Sequence, residues 1–257
     1  MDLTQNSNAF LYGKGVFTTV AIFGGEPFLW EKHWRRLNEN ARIVGIETAM
    51  LDEAAVRDSL LNSAKANGIM NGRVRITVYD ASASSVWSKT SECKTGVSVV
   101  AAPFRKVSDA FRVGISPYPI NSGSPLTGVK SCNYVENNLA MENARERGFD
   151  EAVRLNERGE VAGTCMANLF WLAEDVLHTP PLASGCLAGT TREYILENLE
   201  CREMSATLET LEHADALFLT SAGIGIKSVS AFSEKILPAF DHPILHLLAA
   251  TGQNRER

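Results

Sequence analysis

The sequence predicts an α+β chain folded in two lobes, with residues 1–118 in the first, a linker at 119–127 and residues 128–257 in the second. Three observations carry this. Strand-like runs and helical runs are both present along the chain, no internal repeat appears, and the stretch from Pro119 to Pro125 (PINSGSP) is the richest in Pro, Gly and Ser.

The elements follow in order. Val16 to Phe23 is dense in β-branched and aromatic residues, and Gly24-Gly25 before EPFLW reads as a hairpin into a second strand. Trp30, Trp34, Leu37, Ala41 and Val44 then recur at helical spacing up to Gly45. A second such helix begins at the capping residue Asp52 and ends near Gly68. Strands are expected at 73–79, 96–102 and 111–118, with a surface loop (DASASSVWSKTSECK) between the first two. Beyond the linker, Tyr134 to Arg147 reads as a helix stopped by Gly148. Short strands follow near 151–156, 168–172 and 176–178, then a helix over 191–202, strands at 216–220 and 224–232, and a helix over 242–250.

Composition excludes several classes. Of the 257 residues 45% are hydrophobic and 21% charged, enough to bury one large core or two modest ones. With 25 basic and 30 acidic residues the net charge is −5, which gives no global attraction to nucleic acid or an anionic membrane. The five cysteines form no C-x-x-C pair and none stands at metal-ligand spacing from a histidine, so no metal site is expected and a reducing, cytoplasmic setting is. The N-terminus lacks a secretory pattern, and no apolar run approaches the roughly 20 residues of a membrane span.

Few segments stand out chemically. Lys130, in GVKSCNY, lies just after the linker and just before a helix, beside the apolar Val129. That is a setting in which an amine pKa falls and Schiff-base chemistry arises, although a loop lysine is ordinarily a solvated one. LAGTTREY places Thr190 and Thr191 at a helix start, where free N–H groups favour an anion and where a plain cap is the commoner explanation. TSAGIG, from Thr220 to Gly225, is a second small-residue turn that offers backbone amides or simply packs tightly.

The order and spacing of these segments resemble the class IV aminotransferases, the fold-type IV pyridoxal-phosphate enzymes. FLYGKGVFTTV resembles the family's Y-G-D-G-V-F-E-T start and PFLWEKHWRRL its E-H-x-x-R-L helix. The likeness continues through VKSCNYVENNLAMENARERGFDEAVRLNERGEV, MANLFWL and LAGTTRE, in one order from Phe10 to Val229. The resemblance implies a small N-terminal α/β lobe, a larger β-rich C-terminal lobe that carries the cofactor lysine, pyridoxal 5'-phosphate as cofactor, a small-molecule substrate and a homodimer. It also implies Lys130 as the lysine bonded to the cofactor and as proton shuttle, and Arg36 as the grip on the cofactor phosphate. Thr190 and Thr191 become donors to the same phosphate, with Ser221 and Ala222 as a second phosphate turn. Tyr134 is placed at the cofactor's phenolic oxygen, and Tyr12 and Arg75 at the substrate. From the residues alone, Arg36 is equally a helix arginine paired with Glu31 or Glu39, Arg75 a solvent-facing strand residue, and Tyr12 a core aromatic.

Two departures from the family pattern matter. Gly163, five residues before Asn168, stands where the family has the glutamate that holds the pyridine nitrogen protonated. Glu160 substitutes for it only through a β-bulge, and Thr164 or a water is the other candidate partner. Lys14 stands where the family usually has aspartate. The short chain, F-T-T after Val16 and the ending ANLFW lean toward aminodeoxychorismate lyase, which expels pyruvate to give 4-aminobenzoate in folate biosynthesis. A ring lacking its acid is a poorer electron sink, which hurts transamination more than an elimination driven by aromatisation. The alternatives are a D-amino acid or branched-chain aminotransferase, and a family member that has lost catalysis and keeps a binding role, against which Lys130 itself speaks.

Overall fold

The computed structural model describes residues 6–84 and 94–248. The chain divides into two compact units, Met1–Phe104 with Val129–Tyr134, and Arg105–Gly128 with Val135–Arg257. Lys130, expected at the head of the C-terminal lobe, thus belongs to the first unit, while the expected linker stretch belongs to the second. There Ile120 N donates to Leu155 O and Ser122 N donates to Glu157.

The first unit contains α1 (Asn8–Tyr12), β1 (Gly15–Phe23), β2 (Glu26–Pro27), α2 (Trp30–Ile43), α3 (Glu53–Ala66), β3 (Gly72–Asp80) and β4 (Thr95–Ala102). The strands form one antiparallel sheet in the order β2-β1-β3-β4. The turn into β2 uses Gly24 and Gly25 at φ +57° and +86°, a backbone region that favours glycine. Strand alternation puts Val16, Val20 and Ile22 of β1 on the same face as Val74, Ile76 and Val78 of β3. On that face they meet Trp30, Leu37 and Ala41 of α2 and Val56, Leu60 and Ala64 of α3. Burying a side chain of this size contributes about 1.5–3 kcal/mol, so this face holds the unit together. The residues between them on the strands, Phe17, Thr19, Arg75 and Thr77, point the other way. The loop expected after Asp80 has its residues 85–93, Cys93 among them, outside the described residues.

The second unit contains β5 (Arg112–Ile115), α4 (Val135–Glu146), β6 (Glu151–Leu155), β7 (Val161–Thr164), β8 (Asn168–Ala173), β9 (Val176–Thr179), α5 (Thr190–Asn198), β10 (Cys201–Glu203), α6 (Leu208–Glu212), β11 (Ala216–Ser221), β12 (Gly225–Ser228), β13 (Ala231–Phe232), β14 (Lys235–Ile236) and α7 (Pro243–His246). Two sheets result, β10-β9-β8-β11-β12 and β14-β13-β5-β6-β7. Phe111, Val113, Val153 and Val161 pack with Leu169, Trp171, Leu217 and Leu219 to form the main core. On the other side of the first sheet Phe170 and Phe218 meet Ile195 of α5, and on the second sheet Ala152 and Cys165 meet Ala140, Met141 and Ala144 of α4.

Three elements differ from expectation. The helix over 191–202 ends at Asn198, because Cys201–Glu203 leaves it to pair parallel with β9. The run 224–232 is two strands in different sheets, since Ser230 bonds Phe111 O with both its N–H and its hydroxyl and turns the chain. The strand expected over 111–118 is confined to Arg112–Ile115. The C-terminal helix is described over Pro243–His246 only, and its expected end at 249–250 lies outside the described residues. Among the described residues no helix is long and apolar enough to cross a membrane.

Candidate active site

In the first unit the segment Val129–Tyr134 pairs with the open edge of β1. Phe17 N donates to Lys130 O at 2.8 Å, Cys132 N donates to Gly15 O at 2.8 Å, and Ser131 faces Val16 across an antiparallel bridge. Val129 anchors in the core below. This backbone pairing fixes where the Lys130 side chain starts.

The side chain itself is half-buried against aromatic rings. Nζ lies 3.2 Å from the Tyr134 hydroxyl, 4.6 Å from the centre of the Phe17 ring and 5.0 Å from that of Tyr134. Phe17 and Tyr134 meet edge-to-face at 5.1 Å, and the Arg75 guanidinium covers Phe17 at 3.6 Å. Loss of hydration first, then the positive charges of Arg36 and Arg75, pull the Lys130 amine down to about 7. At neutral pH a large share of this lysine is therefore a free base, which an exposed lysine is not.

Arg36 sits on α2 with its side chain buried, and its Nη2 donates to Thr18 Oγ1 at 2.9 Å. The same hydroxyl lies 2.6 Å from Nδ1 of His33, and both Thr18 and His33 are only 1% exposed. The Thr18 hydroxyl thus ties the Arg36 guanidinium to the His33 ring. Burial, then Arg36 and Lys130, hold the His33 pKa well below its ordinary value, which favours the neutral ring. Thr18 and His33 were not among the expected site residues. The available signals were the second letter of F-T-T and the histidine one helical turn before Arg36.

Tyr12, at the end of α1, is half-buried with its hydroxyl 3.4 Å from Ser84 Oγ. Arg75 is exposed, and its Nε donates to Thr77 Oγ1 at 3.1 Å. Lys14 forms an ion pair with Asp80 at 3.0 Å, which accounts for a basic residue at that point of the turn.

The second unit assembles a different set. Gly189 caps α5 so closely against Asn168 that a Cβ there would strike the Asn168 side-chain oxygen, and Asn168 Nδ2 donates to Leu187 O at 2.8 Å. Thr190 and Thr191 open the helix and are buried. Thr220 faces Asn168 across the β8–β11 ladder and is 1% exposed. Its hydroxyl makes no hydrogen bond among the described residues. Ser221 and Ala222 follow at once in the turn to β12, where Ser221 Oγ accepts from Ile224 N at 3.4 Å. The start of α5, with its two buried threonines, and the unsatisfied buried hydroxyl of Thr220 form a donor set that fits a phosphate.

Gly163 lies in β7 at φ +144°, with a bulge between it and Val161. The bulge that Glu160 would need is present. Its carboxylate is nonetheless taken up at the hairpin end, 2.6 Å from Arg158 and 2.8 Å from Asn156. Thr164 Oγ1 is within 3.1 Å of Ala167 O.

Residues 15–232 match the family model for amino-transferase class IV. The chain belongs to this family. Class IV enzymes use pyridoxal phosphate, and this chain is accordingly a pyridoxal-phosphate enzyme of the class. Among its relatives is a putative branched-chain-amino-acid aminotransferase of Methanocaldococcus jannaschii, 28% identical over 90% of this chain and 82% of that protein. The aminodeoxychorismate lyase of Bacillus subtilis is 29% identical over 87% of this chain and 79% of its own. A solved putative 4-amino-4-deoxychorismate lyase from Legionella pneumophila shares the fold, with a TM-score of 0.86 and 24% identity over 98% of this chain and 95% of that one.

Proposed function

We propose that this class IV enzyme is an aminodeoxychorismate lyase, with Lys130 as its catalytic base. The observation that carries the catalytic assignment is the Lys130 amine itself, set against Phe17 and Tyr134 with a pKa of about 7. An amine whose pKa is lowered this far can take a proton from a substrate carbon and later return it. When bound, pyridoxal phosphate supplies the aldehyde that bonds the lysine and the ring that draws electrons from the reacting carbon.

In this reading Arg36, held in position by Thr18, grips the cofactor phosphate, and Thr190, Thr191, Ser221 and Ala222 offer it neutral donors. Tyr134 orients Lys130 through its hydroxyl and approaches the phenolic oxygen of the cofactor. The exposed guanidinium of Arg75 suits a carboxylate of the substrate, and Tyr12, half-buried at the end of α1, is the second residue assigned to the substrate. The lyase choice is supported by F-T-T at 17–19, by the missing acid at Gly163 and by the Bacillus subtilis relative. The Methanocaldococcus jannaschii relative favours transamination of branched-chain amino acids as the second reading.

One assay separates them. Purified enzyme given aminodeoxychorismate is expected to release pyruvate and 4-aminobenzoate, and to turn over a panel of L- and D-amino acids with 2-oxoglutarate much more slowly; the reverse order makes it an aminotransferase. Absence of both activities, with no borohydride-sensitive visible band, leaves a binding role. A homodimer is part of this proposal, and light scattering that finds only an active monomer removes it.

A further inference from the structure

The face of β6 and β7 beneath α4 contains a buried cation that the proposed chemistry has not used. The antiparallel register sets Arg154 directly opposite Gly163, and directly opposed residues project to the same side of a sheet. Ala152 and Cys165, on that side, pack under α4. Arg154 is only 2% exposed. Its Nε donates to Tyr118 O at 3.1 Å and its Nη2 to Pro119 O at 2.9 Å. Carbonyl groups solvate this charge without neutralising it, and its ion-pair partner among the described residues, Glu136 at 3.5 Å, is itself 78% exposed. Among the described residues Nη1 makes no hydrogen bond. A charge so weakly countered is costly to bury, and Nη1, which is not among the side-chain atoms buried without a partner, is open to solvent and so to a ligand.

The acids nearby do not take that place. Glu151 projects with Val153 to the opposite side, where it accepts from Met166 N at 3.4 Å. Glu160 is engaged by Arg158 and Asn156. Nor does position 163 readily regain a carboxylate, because φ +144° is a conformation L side chains rarely adopt.

We propose that Arg154 replaces the missing acid as the residue facing the ring nitrogen of pyridoxal phosphate, and that it holds this nitrogen unprotonated. The inference rests on the cofactor site proposed above. A guanidinium carries only donors, so the nitrogen it meets must act as an acceptor, the reverse of the polarity a carboxylate imposes. The ring then draws electrons less strongly. That penalises a reaction that must spread charge into the ring more than one whose product becomes aromatic.

The test is the nitrogen itself. Enzyme reconstituted with ring-15N pyridoxal phosphate is expected to show the unprotonated resonance from pH 6 to 9. Arg154→Lys should keep it, and Arg154→Leu should move it toward the protonated position at the acid end. A protonated resonance in the unaltered enzyme overturns the proposal, as does an unchanged resonance in a folded Arg154→Leu protein. If the unaltered enzyme takes up no borohydride-sensitive cofactor, the underlying site reading falls as well, whereas bound cofactor with a protonated nitrogen refutes Arg154 alone. The unaltered enzyme decides the matter even where Arg154→Leu does not fold.

Discussion

The two units gather different kinds of polar group. The first gathers permanent cations around one hydroxyl and one lysine: Arg36 on Thr18, Thr18 on His33, and Arg36 and Arg75 both depressing the Lys130 amine. The second gathers neutral donors at Thr190, Thr191 and Thr220, around a glycine packed against Asn168. Charge-assisted contacts are the stronger, and a permanent charge acts on a nearby titrating group through space, while a neutral donor is weaker and acts on the group it bonds. In the proposed reading, the permanent charges of the first unit surround the lysine that must lose its proton, and the second unit supplies uncharged donors.

The most severe way to break this comparison is Lys130→Ala. Activity should fall by about 10²–10⁴-fold from lost proton transfer alone, and the reducible visible band should vanish. A variant that keeps the band moves the reactive amine elsewhere.

A direct weighing of the two units comes next. Arg36→Lys should weaken cofactor binding about 10–100-fold, as expected for a charge-assisted bond, and Thr191→Val only about 2–10-fold, as for a neutral one. Fluorescence titration with pyridoxal phosphate measures both. Equal losses would mean that charged and neutral donors contribute alike and that the contrast between the units is illusory.

The smallest effect concerns Glu151, the buried acid of the second unit, whose pKa burial raises to about 7. A folded pKa above the ordinary 4.5 makes its stability contribution complete below 4.5 and lost as pH rises through 7. Glu151→Gln, which cannot ionise, should therefore gain melting temperature relative to the unaltered protein as pH goes from 5 to 8. A constant difference across that range would show that Glu151 does not titrate there.

Much of this was legible in the sequence because it is local. The helix from Trp30 follows from apolar spacing, the start of α3 from Asp52, and the Gly-Thr-Thr opening of α5 from residue types in one short run. What escaped notice depends on contacts between distant residues. Nothing near Thr18 or His33 announces that they meet, since one is on a strand and the other on a helix. Arg154 reads as an ordinary strand arginine until the register places it across from Gly163, and β7 is too short for alternation to reveal. The unit to which Lys130 belongs was hidden for the same reason, because its partners are Gly15 to Phe17.

That last pairing bears on how the molecule is made. A nascent chain that has emerged as far as Phe104 holds every described strand of the first sheet, yet among the described residues the open edge at Gly15 to Phe17 pairs only with Val129–Tyr134. Closing so long a loop is slow compared with forming the hairpins around it. Lys130 is thus set in place late, onto a template already folded, and a chain cut short before residue 129 displays an unpaired strand edge of the kind that invites aggregation.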